Sequence, residues 1–199
     1  MERCAWCLDG GKMQRYHDEE WGVPLHDDQK HFEFLMMEAM QCGLSWALMI
    51  KKREIFRACF AEFDFRSVAA FDDTDVERIL NTEGMIRSRG KICAVINNAK
   101  RFLSITDEFG SFDRYIWSFT GGKTYVYPAH HRGAWVAKNT LSHRVSADLK
   151  RRGFKYLGSV TVYSHLQACG IVNDHEPGCF LYDTINAMAD IQVIDTEGE

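Results

Sequence analysis

The segment from residue 28 to residue 42 most narrowly limits how this chain can fold. Asp27 offers an N-cap, and apolar residues then recur at helical spacing. The opposite side of the same helix carries Phe34 and Met37, so the helix is apolar on both sides and is expected to be buried. Glu38 lies in the middle of this run, so the core must accommodate a carboxyl group. The apolar residues at helical spacing are Phe32, Leu35, Met36, Ala39 and Met40.

The remaining sequence pattern predicts an all-α fold. Helical periodicity recurs along the chain, and no series of alternating strands predicts a sheet of any size. Residues 124–128 could form one short extended piece, and the first 26 residues look irregular. Only three prolines interrupt the chain, which also favours helices. The predicted helices after the buried one cover residues 45–60, 73–82, 91–103, 112–119, 145–152 and 160–169.

Length and composition favour one globular domain. The chain has 199 residues, of which 46% are hydrophobic and 26% are charged, and these values exclude an intrinsically disordered protein. No apolar run is long enough to span a membrane, and the N-terminus lacks the apolar core of a signal peptide, so we expect a cytoplasmic protein. We predict a single helical domain over residues 1–183 and a solvated acidic tail over residues 184–199.

The seven cysteines do not indicate a disulfide framework, because their number is odd and no export signal precedes them. Four of them lie within apolar helical patterns and are expected to be small buried hydrophobic residues. These are Cys42, Cys59, Cys93 and Cys169.

The other cysteines lie near histidines at the two ends of the chain. Cys4 and His17 are close to the N-terminus, and His175 and Cys179 are four residues apart near the C-terminus. Two thiolates and two imidazoles would complete a tetrahedral zinc site with no open position, which is typical of a structural metal. Cys7 offers a rival ligand beside Cys4, so the spacing leaves open Cys7 or His17, or no metal at all.

The net charge of −4 conceals two basic segments. Residues 85–101 contain five Lys and Arg residues and no acid, and residues 132–155 contain seven against one acid. Each segment lies at a junction between predicted helices, which favours a phosphate-facing surface over ordinary solvated helix faces. Residues 153–159 contain two glycines, so the turn could expose backbone N–H groups beside a helix N-terminus.

Glu38 is accompanied by aromatic residues on both sides in the sequence. Burial of an unpaired carboxylate costs several kcal/mol, so Glu38 is expected to be paired, hydrogen-bonded or protonated. A carboxyl group and a tyrosine hydroxyl among indole rings would suit a flat heteroaromatic ligand. The alternative is an aromatic core in which Glu38 forms a structural ion pair. The aromatic residues are Trp6, Tyr16, Trp21 and Trp46.

Several long motifs occur in order across residues 1–180, nearly the whole chain. They are Met1-Glu-Arg-Cys4-x-Trp6, Tyr16-His17-Asp-Glu-Glu20-Trp21-Gly-Val-Pro24, Glu38-x-x-Gln41-x-Gly-Leu-Ser-Trp46, Lys51-Lys-Arg-Glu54, Arg87-x-Arg-Gly-Lys91, Lys150-Arg-Arg-Gly-Phe154-Lys-x-x-Gly158 and Gln167-Ala-Cys-Gly170-x-Val-Asn-Asp-His175. Together these motifs resemble the 3-methyladenine DNA glycosylase I family, within the helix-hairpin-helix DNA glycosylase superfamily.

The resemblance implies a fold, a metal and a pocket. The fold would be the all-helical helix-hairpin-helix glycosylase architecture, and a structural zinc would join the N- and C-terminal segments. Its ligands would be Cys4, His17, His175 and Cys179. The hairpin would contact DNA through Gly153, Lys155, Gly158 and Ser159. Tyr16 and the catalytic Glu38 would hydrogen-bond the damaged adenine, Trp46 would stack on it, and Trp6 and Trp21 would line the cavity.

The activity implied is hydrolytic release of 3-methyladenine from alkylated double-stranded DNA by a monomeric, monofunctional enzyme without lyase activity. The methylated base is cationic and is already a good leaving group, and indole faces and an ionised Glu38 favour a cation. The chain departs from the family pattern at Met13 and at Ala39, and residues 121–140 match it poorly. Asn173 stands where related glycosylases carry a catalytic aspartate.

Two other functions are compatible with parts of the sequence. A zinc-stapled DNA-binding protein of the same fold could have lost the chemistry, in which case it would bind DNA without releasing a base. A zinc hydrolase would need an open metal position, and four protein ligands argue against one.

Overall fold

The computed structural model describes residues 1–8, 11–131 and 136–195, and helices dominate them, as the sequence predicts. No helix in these ranges is both long enough and apolar enough to cross a lipid bilayer. The helices are α1 (Gly11–Glu19), α2 (Asp28–Gln41), α3 (Trp46–Cys59), α4 (Phe65–Ala69), α5 (Asp73–Asn81), α6 (Arg89–Phe109), α7 (Phe112–Ser118), α8 (Thr140–Arg151), α9 (Ser159–Ala168) and α10 (Phe180–Met188). The strands are β1 (Thr124–Val126), β2 (Val172–Asn173) and β3 (Ile191–Val193).

Helix α2 is the buried helix that the sequence predicts. It packs against α3, α6, α7 and α9, and every residue from 31 to 40 is buried. The Asp27 side chain accepts a hydrogen bond from the backbone N–H of Lys30, which caps the first turn. At the other end, the Lys91 ammonium donates to the carbonyl oxygens of Met40 and Cys42 at 2.8 and 2.6 Å. Both ends of the central helix are therefore satisfied by side chains.

An ion-pair network fixes α2 against α3 and the end of α1. Arg53 donates to Glu33 at 2.7 Å and to both carboxylate oxygens of Glu20 at 2.7 and 2.8 Å. Arg57 also donates to Glu33, at 2.8 Å. Burial opposes ionisation of Glu33, but the hydrogen bonds from the two arginines lower the pKa of its carboxyl group. Glu33 is therefore a paired, ionised carboxylate.

A small parallel sheet, which the sequence analysis did not predict, joins distant parts of the chain. Strand β1 is central, with β2 on one side and β3 on the other. Tyr125 pairs with Val172 in β2 and with Gln192 in β3. The short extended piece predicted at residues 124–128 is thus confirmed as β1.

The sheet shows that much of the predicted acidic tail is structured, although most of its described side chains are exposed. Residues 184–188 complete α10, in which Ile185 is buried, and residues 191–193 form β3. Pairing with β1 satisfies the backbone of this acidic segment, so it is ordered up to Ile194, whose N–H donates to the Val126 carbonyl. Residues 196–199 lie outside the described residues.

Three local expectations are also wrong. The first 26 residues are not irregular, because they contain α1. Helix α8 begins at Thr140 and not at 145, since Asn139 forms a capping box with Ser142. Cys42 and Cys93 are exposed, because Cys42 ends α2 and Cys93 lies on the outer side of α6, whereas Cys59 and Cys169 are buried as expected.

Gly170 fixes the loop after α1 against the end of α9. Its φ of +72° belongs to the left-handed region that favours glycine. A Cβ at this position would lie 2.6 Å from the backbone nitrogen of Pro24 and 2.7 Å from the carbonyl oxygen of Gly22. The N–H of Gly22 also donates to the Ala168 carbonyl at 3.2 Å. The two backbones therefore approach as closely as a glycine permits.

Candidate active site and metal centre

A cavity of about 310 Å³ opens between α1, α2, α3 and α9. All five residues that the sequence analysis assigned to a base pocket line it. Its volume lies at the small end of the range for ligand pockets, which suits a single heterocycle. The complete lining is Trp6, Met13, Tyr16, Trp21, Glu38, Gln41, Trp46, Ala47, Ser164 and Gln167.

Aromatic rings form the walls of this cavity. The Trp6 and Trp21 rings meet edge to face with centroids 5.1 Å apart. The Tyr16 and Trp46 rings are tilted at 5.7 Å, and Trp6 is 6.4 Å from Tyr16. Ring faces and edges in this arrangement offer both a stacking surface and attraction for a cation.

Two buried polar atoms in the cavity have no hydrogen-bond partner among the described residues, the Tyr16 hydroxyl oxygen and Glu38 Oε2. Both residues are almost completely buried, at 2% and 4% exposure. Burial raises the pKa of Glu38 to about 8. The pKa of Tyr16 is also raised, mainly by burial and to a smaller extent by the nearby Glu38 carboxyl group. Unsatisfied buried polar groups are costly, so a ligand that hydrogen-bonds to these two atoms would be favoured.

Local sequence explains how these side chains reach one cavity. Glu38 lies two turns after the start of the buried part of α2 and has no arginine beside it, in contrast to Glu33. Ser45 caps α3 by accepting the N–H of Leu48 at 3.3 Å, and this cap places Trp46 at the first position of the helix. Tyr16 lies in the last turns of α1.

Cys4, His17, His175 and Cys179 form one buried group, and their donor atoms all lie within 4.8 Å of one another. Sγ of Cys4 is 3.5 Å from Nδ1 of His175, and Sγ of Cys179 is 3.5 Å from Nε2 of His17 and 3.6 Å from Nδ1 of His175. Bond lengths of about 2.3 Å to sulfur and about 2.0 Å to nitrogen give a sulfur–nitrogen edge of about 3.6 Å in a tetrahedral zinc site. The group therefore has the dimensions that a tetrahedral metal requires.

The second nitrogen of each histidine has its own partner. Nδ1 of His17 is 2.8 Å from Oδ1 of Asp18, whose carboxylate also accepts hydrogen bonds from Nε and Nη2 of Arg3. Nε2 of His175 is 3.1 Å from the Trp21 carbonyl oxygen. Such outer contacts orient the imidazoles of metal sites.

The rival ligand Cys7 lies outside this group. Its Sγ donates to the carbonyl oxygen of Cys4 at 3.1 Å. Of the two alternatives, the structure therefore places His17 beside the other three candidate ligands, and Cys7 remains a buried thiol.

The predicted hairpin connects α8 to α9. Gly153 has a φ of +88° and ends α8, and α9 begins after Gly158 with no side-chain cap. The first N–H groups of α9 thus point out of the helix without a side-chain partner, beside Ser159. Lys155 is exposed at the tip.

Two asparagines of α6 hold the hairpin in place. Asn98 accepts the N–H of Lys155 at 2.8 Å and donates to its carbonyl oxygen at 2.9 Å. Asn97 donates to the Gly153 carbonyl oxygen at 2.9 Å. The hairpin backbone is therefore rigidly attached to the longest helix.

Internal contacts occupy several residues of the two basic segments. Arg89 pairs with Glu77, and Arg152 pairs with Glu108 and Asp148. Lys91 binds the end of α2, and Arg132 lies outside the described residues. Arg144 donates to the Phe119 carbonyl oxygen. The basic residues whose side chains form neither an ion pair nor a hydrogen bond with described residues and remain on the surface are Arg87, Lys100, Arg101, Lys138, Lys150 and Lys155. About half of the charge counted in the sequence is thus free for an external partner.

The sequence analysis gave no role to several residues at the site. Gln41, Ser164 and Gln167 line the cavity, although Gln41 and Gln167 occur in the motifs quoted above. Asp174 accepts hydrogen bonds from Gln167 and Tyr163 beside the cavity. These residues come together only through contacts between different helices, which the spacing of residues in the sequence does not reveal.

Asn173 is fully buried and acts in the structure as a connector. Its amide donates to the Tyr182 carbonyl oxygen and to Asn186, at 3.2 and 2.8 Å, and its oxygen accepts the N–H of His175 at 3.2 Å. It does not line the cavity. Its contacts hold α10 against the segment that carries the histidine.

Comparison with known proteins gives one consistent picture. A family model described as methyladenine glycosylase matches residues 6–182. The chain is 44% identical over 182 residues to DNA-3-methyladenine glycosylase 1 of Escherichia coli K12, covering 92% of this chain and 97% of that protein. It is 37% identical over 177 residues to DNA-3-methyladenine glycosylase of Haemophilus influenzae, covering 89% and 96%.

Solved structures agree with these sequence matches. A crystal structure of 3-methyladenine DNA glycosylase I superposes with a TM-score of 0.84 at 43% identity, over 90% of this chain and 98% of that one. The Staphylococcus aureus enzyme, solved for the structural basis of 3-methyladenine recognition, superposes with a TM-score of 0.84 at 33% identity, over 90% and 96%.

Glu38→Gln is expected to stabilise the protein more at pH 8 than at pH 5. Burial raises the pKa of Glu38 from 4.5 to about 8, so the stability contributed by its neutral form is full below pH 4.5 and is lost as the pH rises towards 8. Glutamine stays neutral throughout. The difference in free energy of unfolding between variant and parent should grow by about 3 kcal/mol between pH 5 and pH 8.

Urea unfolding at the two pH values measures this difference. The control is Glu54→Gln, which neutralises an exposed carboxylate on α3. A Glu38→Gln difference that stays constant with pH would contradict the burial of an ionisable Glu38.

Proposed function

Because this chain belongs to the methyladenine glycosylase family, we propose that it is a DNA glycosylase that removes 3-methyladenine from alkylated double-stranded DNA. The reaction is hydrolysis of the bond between base and sugar, without strand cleavage. The cytoplasmic location and the monomeric state stay predictions from the sequence.

One observation carries this proposal: a buried carboxyl group and a buried hydroxyl group without partners share an aromatic cavity. Glu38 has no cationic neighbour in the cavity, and burial alone raises its pKa. A cationic base would supply the missing positive charge and would stabilise the carboxylate by a charge-assisted hydrogen bond. Normal adenine is neutral and supplies no such charge. The pocket therefore selects for the charge that N3-methylation creates.

The chemistry needs little further assistance. The target nucleotide must leave the base stack, at a cost of a few kcal/mol, to enter a cavity of this depth. Trp46 would then stack on the flipped base, and Tyr16 and Glu38 would bind its polar edge. The bond from C1′ to the base breaks and its electron pair neutralises the cationic ring. Water adds to C1′ and loses a proton, which leaves free 3-methyladenine and an abasic site.

Solved relatives support the assignment of Tyr16 and Glu38. One structure of 3-methyladenine DNA glycosylase I is the Y16F variant in complex with 3-methyladenine, and another is the E38Q variant of the Staphylococcus aureus enzyme. This chain has tyrosine at position 16 and glutamate at position 38.

The variants Glu38→Gln and Trp46→Ala are expected to release 3-methyladenine at least about 100-fold more slowly than the parent, because each removes an interaction with the cationic base. Chromatography of bases released from methylated double-stranded DNA measures the rate. Glu54→Gln serves as the matched control and should retain full activity.

Two results would contradict the proposal. If both pocket variants released 3-methyladenine as fast as the parent, the cavity would not be the site that binds the base. Salt-sensitive DNA binding by the parent with no base release would favour the alternative, a DNA-binding protein without catalysis.

We further propose that Cys4, His17, His175 and Cys179 bind zinc. The tetrahedral dimensions of the donor set, its two thiolates and the oriented imidazoles support this metal. Four protein ligands leave no position for a substrate, so the zinc would have a structural role and no catalytic one. His17 directly follows Tyr16 in the chain, and His175 contacts the carbonyl oxygen of Trp21. The metal would therefore also position these two residues of the cavity wall.

Cys179→Ser and His17→Ala are expected to lose the bound zinc and to unfold at a lower temperature, since ligand binding free energy adds to folding free energy. Mass spectrometry of the metal content and calorimetry measure both effects. Cys7→Ser is the matched control and should keep one zinc per chain. Equal zinc loss in Cys7→Ser and Cys179→Ser would overturn this ligand set.

The connection between α8 and α9 would act as a helix-hairpin-helix element that binds a DNA phosphate. The first N–H groups of α9 point outward and Lys155 is exposed, and both features support this proposal. Arg101 adds a positive charge close to the turn, because its Nε would be 3.2 Å from a Cβ at Gly153. Gly153, Gly158 and Ser159 would contribute backbone contacts.

Lys155→Ala is expected to weaken binding to damaged and undamaged duplexes by the same factor, because a phosphate contact is independent of sequence. The slope of log affinity against log salt should fall by about 1. Fluorescence anisotropy at several salt concentrations measures it, with Lys123→Ala, outside both basic segments, as the control. A loss confined to damaged DNA would assign Lys155 to base recognition instead.

A further inference from the structure

A second cluster of metal-binding side chains lies in the core, away from the proposed zinc ligands. His31 of α2, His165 of α9 and Cys169 at the end of α9 are all fully buried, with 0% exposure. One donor atom from each residue lies within 4.8 Å of the others. The cluster crosses the contact between the helix that carries Glu38 and the helix that follows the hairpin.

The hydrogen-bonding pattern leaves donor atoms free inside this cluster. Both ring nitrogens of His165 lack a partner among the described residues, and so does Nδ1 of His31. Nε2 of His31 lies 3.1 Å from the Leu25 carbonyl oxygen and 3.4 Å from Oδ1 of Asp113. Both oxygens accept, so this nitrogen carries the proton, and in the neutral imidazole Nδ1 presents a lone pair. A buried imidazole with no partner is unfavourable in a metal-free core.

The dimensions suit three-coordinate binding. Donor atoms no more than 4.8 Å apart lie within about 2.8 Å of a common centre, so shifts of less than about 1 Å bring all three to bonding distance. The contact of His31 with Leu25 would orient the ring, as outer contacts do in known metal sites.

The donor types and their number identify the ion. Binding displaces the proton of the Cys169 thiol to solvent and leaves one thiolate. The thiolate neutralises one positive charge of a bound ion, and the Asp113 carboxylate lies outside the donor set, 3.4 Å from Nε2 of His31. A soft thiolate with two imidazoles suits Cu(I), and zinc in closed sites takes four ligands. We propose that His31, His165 and Cys169 bind one Cu(I) ion and thereby link α2 to α9.

This proposal is independent of the glycosylase activity and of the zinc site. Anaerobic competition with a chromophoric Cu(I) chelator measures the copper bound by the purified protein, and mass spectrometry measures its zinc. The parent is expected to bind one equivalent of Cu(I) without losing zinc, and its melting temperature should rise. X-ray absorption at the copper edge should show one sulfur and two nitrogen ligands.

Cys169→Ala and His165→Phe should each lose that equivalent of Cu(I) and the rise in melting temperature. The matched control is Cys59→Ala, which removes another buried thiol from the core and should bind copper as the parent does. Copper uptake by both variants equal to that of the parent would overturn the proposal. So would displacement of zinc one for one, or no uptake by the parent.

Discussion

The meeting of Cys4, His17, His175 and Cys179 is the contact on which the cavity depends. It joins two segments more than 150 residues apart in sequence, and the N-terminal partner contains the short helix α1. Tyr16 directly precedes one member of the group, and the carbonyl oxygen of Trp21 contacts another. The walls of the cavity are therefore positioned by the closure of the two chain ends and not by the central helix alone.

Helix α2 carries two buried carboxyl groups with opposite environments. Glu33 has two arginines, which lower the pKa of its carboxyl group, and Glu38 has no cation and a pKa raised to about 8 by burial. The four residues between them suffice to place one in a satisfied network and the other in an aromatic cavity. The nearby arginines thus fix the fold, and Glu38 keeps no cationic partner among the described residues, as the proposed binding of a cationic base requires. This contrast links the stability of the protein to the selectivity of its pocket.

Patterns with a strong local cause could be predicted from the sequence. The buried α2, its Asp27 cap and the helical class follow from periodicity and capping, and the structure confirms them. The five residues that line the cavity and the four proposed metal ligands came from motifs and resemblance, and the structure brings each set together. The strands could not be predicted, because two or three residues carry no period and their partners are far away in sequence.

Contacts between helices were equally invisible in the sequence. The Asn98 clamp on Lys155, the ion pairs that occupy Arg89 and Arg152, and the cluster around His165 all depend on which helix faces join. Counting charges therefore overestimated the surface available to DNA. The sequence locates the basic segments, but only packing decides which of their side chains remain free, and their contact with DNA stays a prediction.

The backbone contact at Gly170 restricts which amino-acid substitutions such a protein can accept during evolution. Any other amino acid there would place a carbon within 2.7 Å of backbone atoms at Gly22 and Pro24. Relief would require the loop after α1 and the end of α9 to move together, which no single substitution achieves. The loop carries Trp21, and α9 carries Gln167, so these two parts of the cavity wall can change position only together. Variation in the pocket should therefore accumulate on its remaining sides, at positions such as Met13 and Ala47.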